Sequence, residues 1–124
     1  MIIGFDYFHT INEFPELMSG LSLLFHNQGH KIIVVSGIAN IHDEEEYGYK
    51  ICKEMDAFGF HFDKLRIVMF ASPIEVPVLK LAVAQKEGIN VFFDDRKDVV
   101  DHFNAFGVQA IWVKRSLTRL PTKK

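Results

Sequence analysis

Short apolar runs alternate along this chain with segments whose apolar positions recur at helical spacing. The runs at 1–5, 31–35, 65–70, 90–93 and 108–113 read as strands. Between the first two, Leu17, Leu21, Leu24 and Phe25 share one face of a helix over 15–28, which Gly29 ends. The next helix opens near Asp43. Glu44, Glu45 and Glu46 complement the positive end of its dipole, and Tyr47, Ile51, Met55 and Phe58 line its buried side. Pro77 suits the first turn of a third helix that runs to Glu87. Val99, Val100, Phe103 and Phe106 mark a fourth, closed by Gly107, and 116–124 form a polar, basic tail expected to fray. Strand–helix alternation of this kind predicts an α/β fold, a mostly parallel sheet covered by helices.

Composition narrows the picture. A chain of 124 residues supports one domain, 1–124, with a single core. Hydrophobic residues at 48% and charged residues at 24% are globular values, which argues against disorder. The net charge of -2 gives no basic footprint, so no nucleic-acid partner is indicated. The 12 phenylalanines predict an aromatic-rich core. Cys52, the one cysteine, has no internal disulfide partner, which fits a reducing compartment, and its helical position reads as a buried filler. Neither a signal peptide nor a membrane span is legible, so the expected location is cytoplasmic.

Chemistry enters at the strand ends. The run Ile89-Asn90-Val91-Phe92-Phe93 is followed at once by Asp94-Asp95. Adjacent carboxylates at a sheet rim repel and raise each other's pKa, and a hard cation with oxygen preference relieves them. The first run ends in Asp6, with Thr10 four residues on; Ser36-Gly37 follows the second, and Lys80 lies in the helix leading to the fourth. In open α/β sheets ligands bind beyond the carboxyl ends of the strands, where strand order reverses. Carboxylate, hydroxyl, ammonium and an acid pair are the groups that phosphoryl transfer needs.

In this order the residues resemble the haloacid dehalogenase superfamily of phosphohydrolases, over roughly 1–113. The family's Asp-x-Asp-x-Thr motif is matched by Asp6-Tyr7-Phe8-His9-Thr10, and its strand ending in Ser or Thr by Ile32 to Ser36 and Gly37. Its basic residue is matched by Lys80, and its acid pair by Asp94-Asp95 before Arg96. The resemblance implies a three-layer Rossmann-like sheet of order 5-4-1-2-3 and an Mg²⁺-dependent phosphatase. Asp6 would be the nucleophile and a metal ligand. The Phe8 backbone carbonyl, Asp94 and Asp95 would complete the metal site, directly or through water. Thr10, Ser36, the Gly37 amide and Lys80 would serve the phosphoryl oxygens of a phosphorylated substrate.

One departure from that pattern bears on function. Phe8 stands where family phosphatases carry the aspartate that acts as general acid and base. Losing such help typically costs about 10²–10⁴-fold in rate. His9 is the neighbouring group able to carry a proton. The intervals 7–14 and 38–42 are too short for a cap domain, so an open site is expected. A weakened or inactive member that binds a phosphorylated ligand or a protein partner is therefore the alternative. A receiver domain is disfavoured, because receivers place the acid pair after strand one and the phosphorylated aspartate after strand three. A small metal-dependent nuclease is disfavoured by the net charge and by Ser36. His26, His30 and His61 lack zinc spacing, His42 suits a helix start, Trp112 reads as core, and Lys64 and Lys86 match the family spacing less well than Lys80. Arg96 either meets substrate or covers the helix start.

Overall fold

The computed structural model describes residues 1–115, so the expected tail at 116–124 lies outside the described residues. Five strands and four longer helices follow one another as β1 (Ile2–Phe5), α1 (Pro15–Asn27), β2 (Lys31–Ala39), α2 (Glu44–Phe58), β3 (Lys64–Phe70), α3 (Val76–Glu87), β4 (Val91–Asp94), α4 (Lys97–Ala105) and β5 (Gln109–Trp112). The strands pair in parallel in the order β3-β2-β1-β4-β5. This is the order 5-4-1-2-3 read from the opposite edge.

Strand alternation divides the core into two layers. Ile3 and Phe5 of β1, with Ile32 and Val34 of β2, pack against Met18 of α1 and Ile51 and Met55 of α2. On the other face Ile33, Val35 and Phe92 pack against Leu81 and Ala84 of α3 and Val99 and Phe103 of α4. Aromatic rings do much of the filling: Phe5 stacks on Phe93 at 4.9 Å and Phe92 on Phe103 at 4.8 Å. Phe8 and Phe106 are exceptions, exposed at 38% and 60%. Among the described residues no cap interrupts the domain. A turn at 7–11 joins β1 to α1, and Asp43 opens α2 by accepting the Glu45 and Glu46 amides at 2.9 and 3.1 Å.

Three expectations from the sequence are corrected. The buried face of α1 is Met18 and Ser22, flanked by Leu21 and Phe25, while Leu17 and Leu24 are exposed. Two serines set this rotation: Ser19 Oγ donates to the Phe58 carbonyl at 2.9 Å, and Ser22 Oγ accepts the His61 amide at 2.9 Å. Strand β2 does not stop before Ser36 but continues to Ala39, because β3 supplies ladder partners as far as Ala39↔Phe70. Trp112 is exposed on the edge strand β5 instead of lying in the core, and its indole N–H donates to the Asp95 carbonyl at 2.9 Å.

Gly4 is the most closely packed of the glycines. A Cβ there would lie 2.5 Å from Phe92 Cδ1 and 2.9 Å from Ile89 Cδ1, both within the packed core. Gly4→Ala should therefore destabilise the fold by about 1–3 kcal/mol through overpacking. Urea unfolding measures it, and an unchanged midpoint would contradict this packing.

Candidate functional site

Sheet order reverses between β1 and β4, the place where a crevice opens in α/β folds. Phe5 pairs with Phe93, so the residue after each strand pair, Asp6 and Asp94, leaves the rim side by side; the Asp6 amide donates to the Phe93 carbonyl at 2.9 Å. Alternation continues past the rim. Gly4 and Phe92 face α3 and α4, and two residues on, so do Asp6 and Asp94.

Lys80 comes from α3 on that face. Its Nζ donates to Asp6 Oδ1 at 2.7 Å and to Asp94 Oδ2 at 2.8 Å, with all three side chains buried. The remaining oxygens are also held: Thr10 Oγ1 donates to Asp6 Oδ2 at 3.3 Å, and the Arg96 amide donates to Asp94 Oδ1 at 2.9 Å. Asp95 completes the acid group, with carboxylate oxygens of Asp6, Asp94 and Asp95 within 4.8 Å of one another. It is covered by Arg115, whose Nε donates to Asp95 Oδ2 at 2.9 Å.

Charge bookkeeping explains the electrostatics. Burial raises the Asp6 carboxyl to about 8, opposed by the Lys80 ammonium and reinforced by Asp94. Asp94 is raised for the same first reason, burial. Burial alone would lower Lys80, but attraction to Asp6 and Asp94 outweighs it and holds the ammonium above its ordinary range. Burial and mutual repulsion thus favour proton uptake by the two carboxylates, and that tendency belongs to the set with Lys80, not to one residue. Three convergent carboxylates in excess of their local cations are the donor set a hard divalent cation takes.

The turn after Asp6 is built to hold it. Phe8 is extended, and His9 has φ 61, the sole positive φ outside glycine among the described residues. The His9 amide donates to Asn12 Oδ1 at 2.6 Å and the Asn12 amide to the Tyr7 carbonyl at 3.2 Å, closing the turn. Tyr7 is fully buried, its hydroxyl donating to Glu54.

Strand β2 reaches past the rim of β1 and contributes differently on its two faces. Gly37 faces the crevice: a Cβ there would be 3.8 Å from Lys80 Cε and 3.5 Å from Phe70 Cε2, so glycine keeps space open above the ammonium. Ser36 points to α2, where its Oγ is hydrogen-bonded to the Tyr47 hydroxyl at 2.9 Å. That hydroxyl also lies 3.2 Å from the Gly37 carbonyl, and burial pushes Tyr47 up to about 12, so it stays protonated.

Asp6, Thr10, Lys80, Asp94 and Asp95 are therefore brought into one cluster, with Gly37 beside it and Ser36 one layer away through Tyr47. The crevice, of about 140 Å³, is also lined by Phe8, His9 and Arg96. Arg96 is paired with Asp98 and with the Pro73 carbonyl. His42 lines an adjoining cavity, while the rings of His26 and His61 lie 3.7 Å apart, tilted by 38°, and belong to no three-ligand metal cluster among the described residues. Tyr47 and Arg115 were not anticipated as site residues. A tyrosine on the buried stripe of α2 was a signal for Tyr47, since a buried phenol seeks a partner. For Arg115 the signal was weaker, a cation just after a strand neighbouring β4.

No family model matches the chain, and no curated protein does. Solved structures do share its fold. A chain in a Pnkp1/Rnl/Hen1 RNA repair complex superposes with TM-score 0.67 at 14% identity, over 94% of this chain and 43% of that one. A second Pnkp1/Rnl/Hen1 complex gives TM-score 0.67 and 14% identity over 93% and 46% of the two chains. This chain thus spans less than half the length of those neighbours. A universal stress protein in complex with cAMP matches at TM-score 0.63 and 8% identity, over 94% of this chain and 98% of that one. At these identities the likeness establishes a three-layer parallel α/β fold. Among the described residues no helix is long and apolar enough to cross a membrane.

Metal-free protein should lose stability as pH rises. The raised Asp6 keeps a proton in the folded state that the unfolded chain releases above 3.8, so stability falls between that value and about 8. Melting curves over pH 5–8 should show that slope, and Asp6→Asn should flatten it. At pH 7.5, Mg²⁺ should raise Tm by mass action in the native protein, but little in Asp6→Asn or Asp94→Asn. A metal response retained by both variants would place the ion elsewhere.

Proposed function

We propose that this chain is an Mg²⁺-dependent phosphohydrolase of the haloacid dehalogenase type, acting on a phosphomonoester through Asp6. The observation that carries the reading is the convergence of Asp6, Asp94 and Asp95 around Lys80 at the point where strand order reverses. Asp6, the Phe8 carbonyl, Asp94 and Asp95 would hold the ion, which when bound neutralises non-bridging oxygens and keeps the carboxylates ionised.

Asp6 attacks phosphorus, the ester P–O bond breaks, and an aspartyl-phosphate forms as the alcohol leaves. Water then attacks phosphorus and the carboxylate of Asp6 departs, releasing inorganic phosphate. Lys80 orients Asp6 throughout and offsets charge on the transferred group. Gly37 leaves room for phosphoryl oxygens and offers its amide, and Ser36 supports that segment through Tyr47. Both steps move a proton, and Phe8 cannot carry it. His9, half-buried at the crevice and 3.8 Å from Glu13 Oε1, is the neighbouring group that can.

Phe8 favours a second reading, a catalytically weakened or inactive protein that binds a phosphorylated ligand or a protein partner. Phosphate-release assays on sugar phosphates, nucleotides and phosphopeptides separate the two. Phe8→Asp tests the reaction directly. It should raise turnover of a phosphomonoester with a poor leaving group by roughly 10²-fold or more, and of activated aryl phosphates by less. A folded variant with no gain on any phosphomonoester would favour the binding reading. If the native chain already turns over fast, His9→Ala should abolish most of that activity.

A further inference from the structure

A second cavity, of about 470 Å³, adjoins the acid crevice, and the two share Phe8, Gly37 and Phe70 as walls. Its character is different. Phe8, Phe70 and Tyr47 give it three aromatic walls, and His42, Asp43, Glu46 and Lys50 are its polar lining. Phe8 is large, apolar and 38% exposed at the junction, where core packing does not account for it, and its ring lies 5.8 Å from that of Tyr47.

We propose that this cavity holds the base of a nucleoside monophosphate whose phosphate lies in the Asp6–Lys80 crevice, with Phe8 as the stacking residue. The proposal rests on the phosphohydrolase reading of the same site. Three features select the occupant. Continuity with the crevice requires a ligand that is anionic at one end and extends into the aromatic space. The volume suits a ring system with its sugar, whereas the phenyl group of a simple aryl phosphate would leave most of it vacant. The aromatic walls favour a flat ring that can stack, which a sugar phosphate alone lacks, and the polar lining residues offer that ring's heteroatoms partners. On this view the side chain at position 8 serves substrate selection, where general acid–base chemistry would otherwise sit. Stacking of a base on an aromatic side chain contributes about 1–3 kcal/mol, or roughly 5- to 150-fold in affinity.

Calorimetric titration of the full chain with Mg²⁺ tests it, using inorganic phosphate, ribose 5-phosphate, phenyl phosphate and the four common nucleoside 5′-monophosphates. At least one nucleotide should bind about tenfold or more tighter than ribose 5-phosphate and phenyl phosphate. Phe8→Leu should erase that advantage and Phe8→Trp restore it, each read as the ratio of nucleotide to ribose 5-phosphate affinity within the same protein. Equal affinity for nucleotides and ribose 5-phosphate would overturn the proposal while leaving the phosphate site intact. So would a nucleotide preference that survives Phe8→Leu, since the base would then rest elsewhere. Tightest binding by phenyl phosphate would assign the cavity to aryl esters instead. Failure to bind any of them, phosphate included, would remove the phosphohydrolase reading and this one with it.

Discussion

The ammonium of Lys80 between two buried carboxylates is the interaction on which the rest of this structure depends. Asp6 and Asp94 come from strands far apart in sequence, and Lys80 from a helix on one face of the sheet. Placing two carboxylates side by side in a buried rim is strongly unfavourable unless a cation meets both. Lys80 meets both, yet two carboxylates and one ammonium still leave one negative charge in excess, which favours the uptake of a proton or another cation.

Several other features follow from that constraint. Parallel pairing of β1 with β4 fixes the two aspartates in register, and Gly4 permits the close approach of Phe92 behind them. Helix α3 must present Lys80 inward, so its first turn, with Val76 and Pro77 buried, is anchored against the sheet. Strand β2 overhangs its neighbour to bring Gly37 above the ammonium, and Tyr47 ties down that overhang through Ser36 and the Gly37 carbonyl.

Much of this was legible in the sequence, for reasons that are physical and local. Apolar runs ending in carboxylates mark buried strands that surface at a rim, so Asp6 and Asp94 could be paired before any coordinates. The even spacing of Gly4 to Asp6 and Phe92 to Asp94 then puts both on one face. Features set by tertiary partners were not legible. Ser36-Gly37 reads as the end of a strand, but β3 extends the ladder across it. Leucine spacing suggested one rotation of α1, whereas Ser19 and Ser22, bonded to the chain around Phe58 and His61, impose another. Trp112 looked like core because an edge position cannot be read from a single strand, and Arg115 reaches Asp95 only because β5 lies beside β4.

The central claim is that Asp6 is a nucleophile toward phosphorus beside a metal held by Asp94. A crystal structure grown with Mg²⁺ and beryllofluoride, a mimic of phosphate on a carboxylate, addresses it most directly. Density should join beryllium to an Asp6 carboxylate oxygen, with Mg²⁺ against Asp94 and Lys80 within hydrogen-bond reach of a fluoride. Beryllofluoride bound to another residue, or a crevice where Lys80 still bridges Asp6 and Asp94 at saturating metal and fluoride, would contradict it.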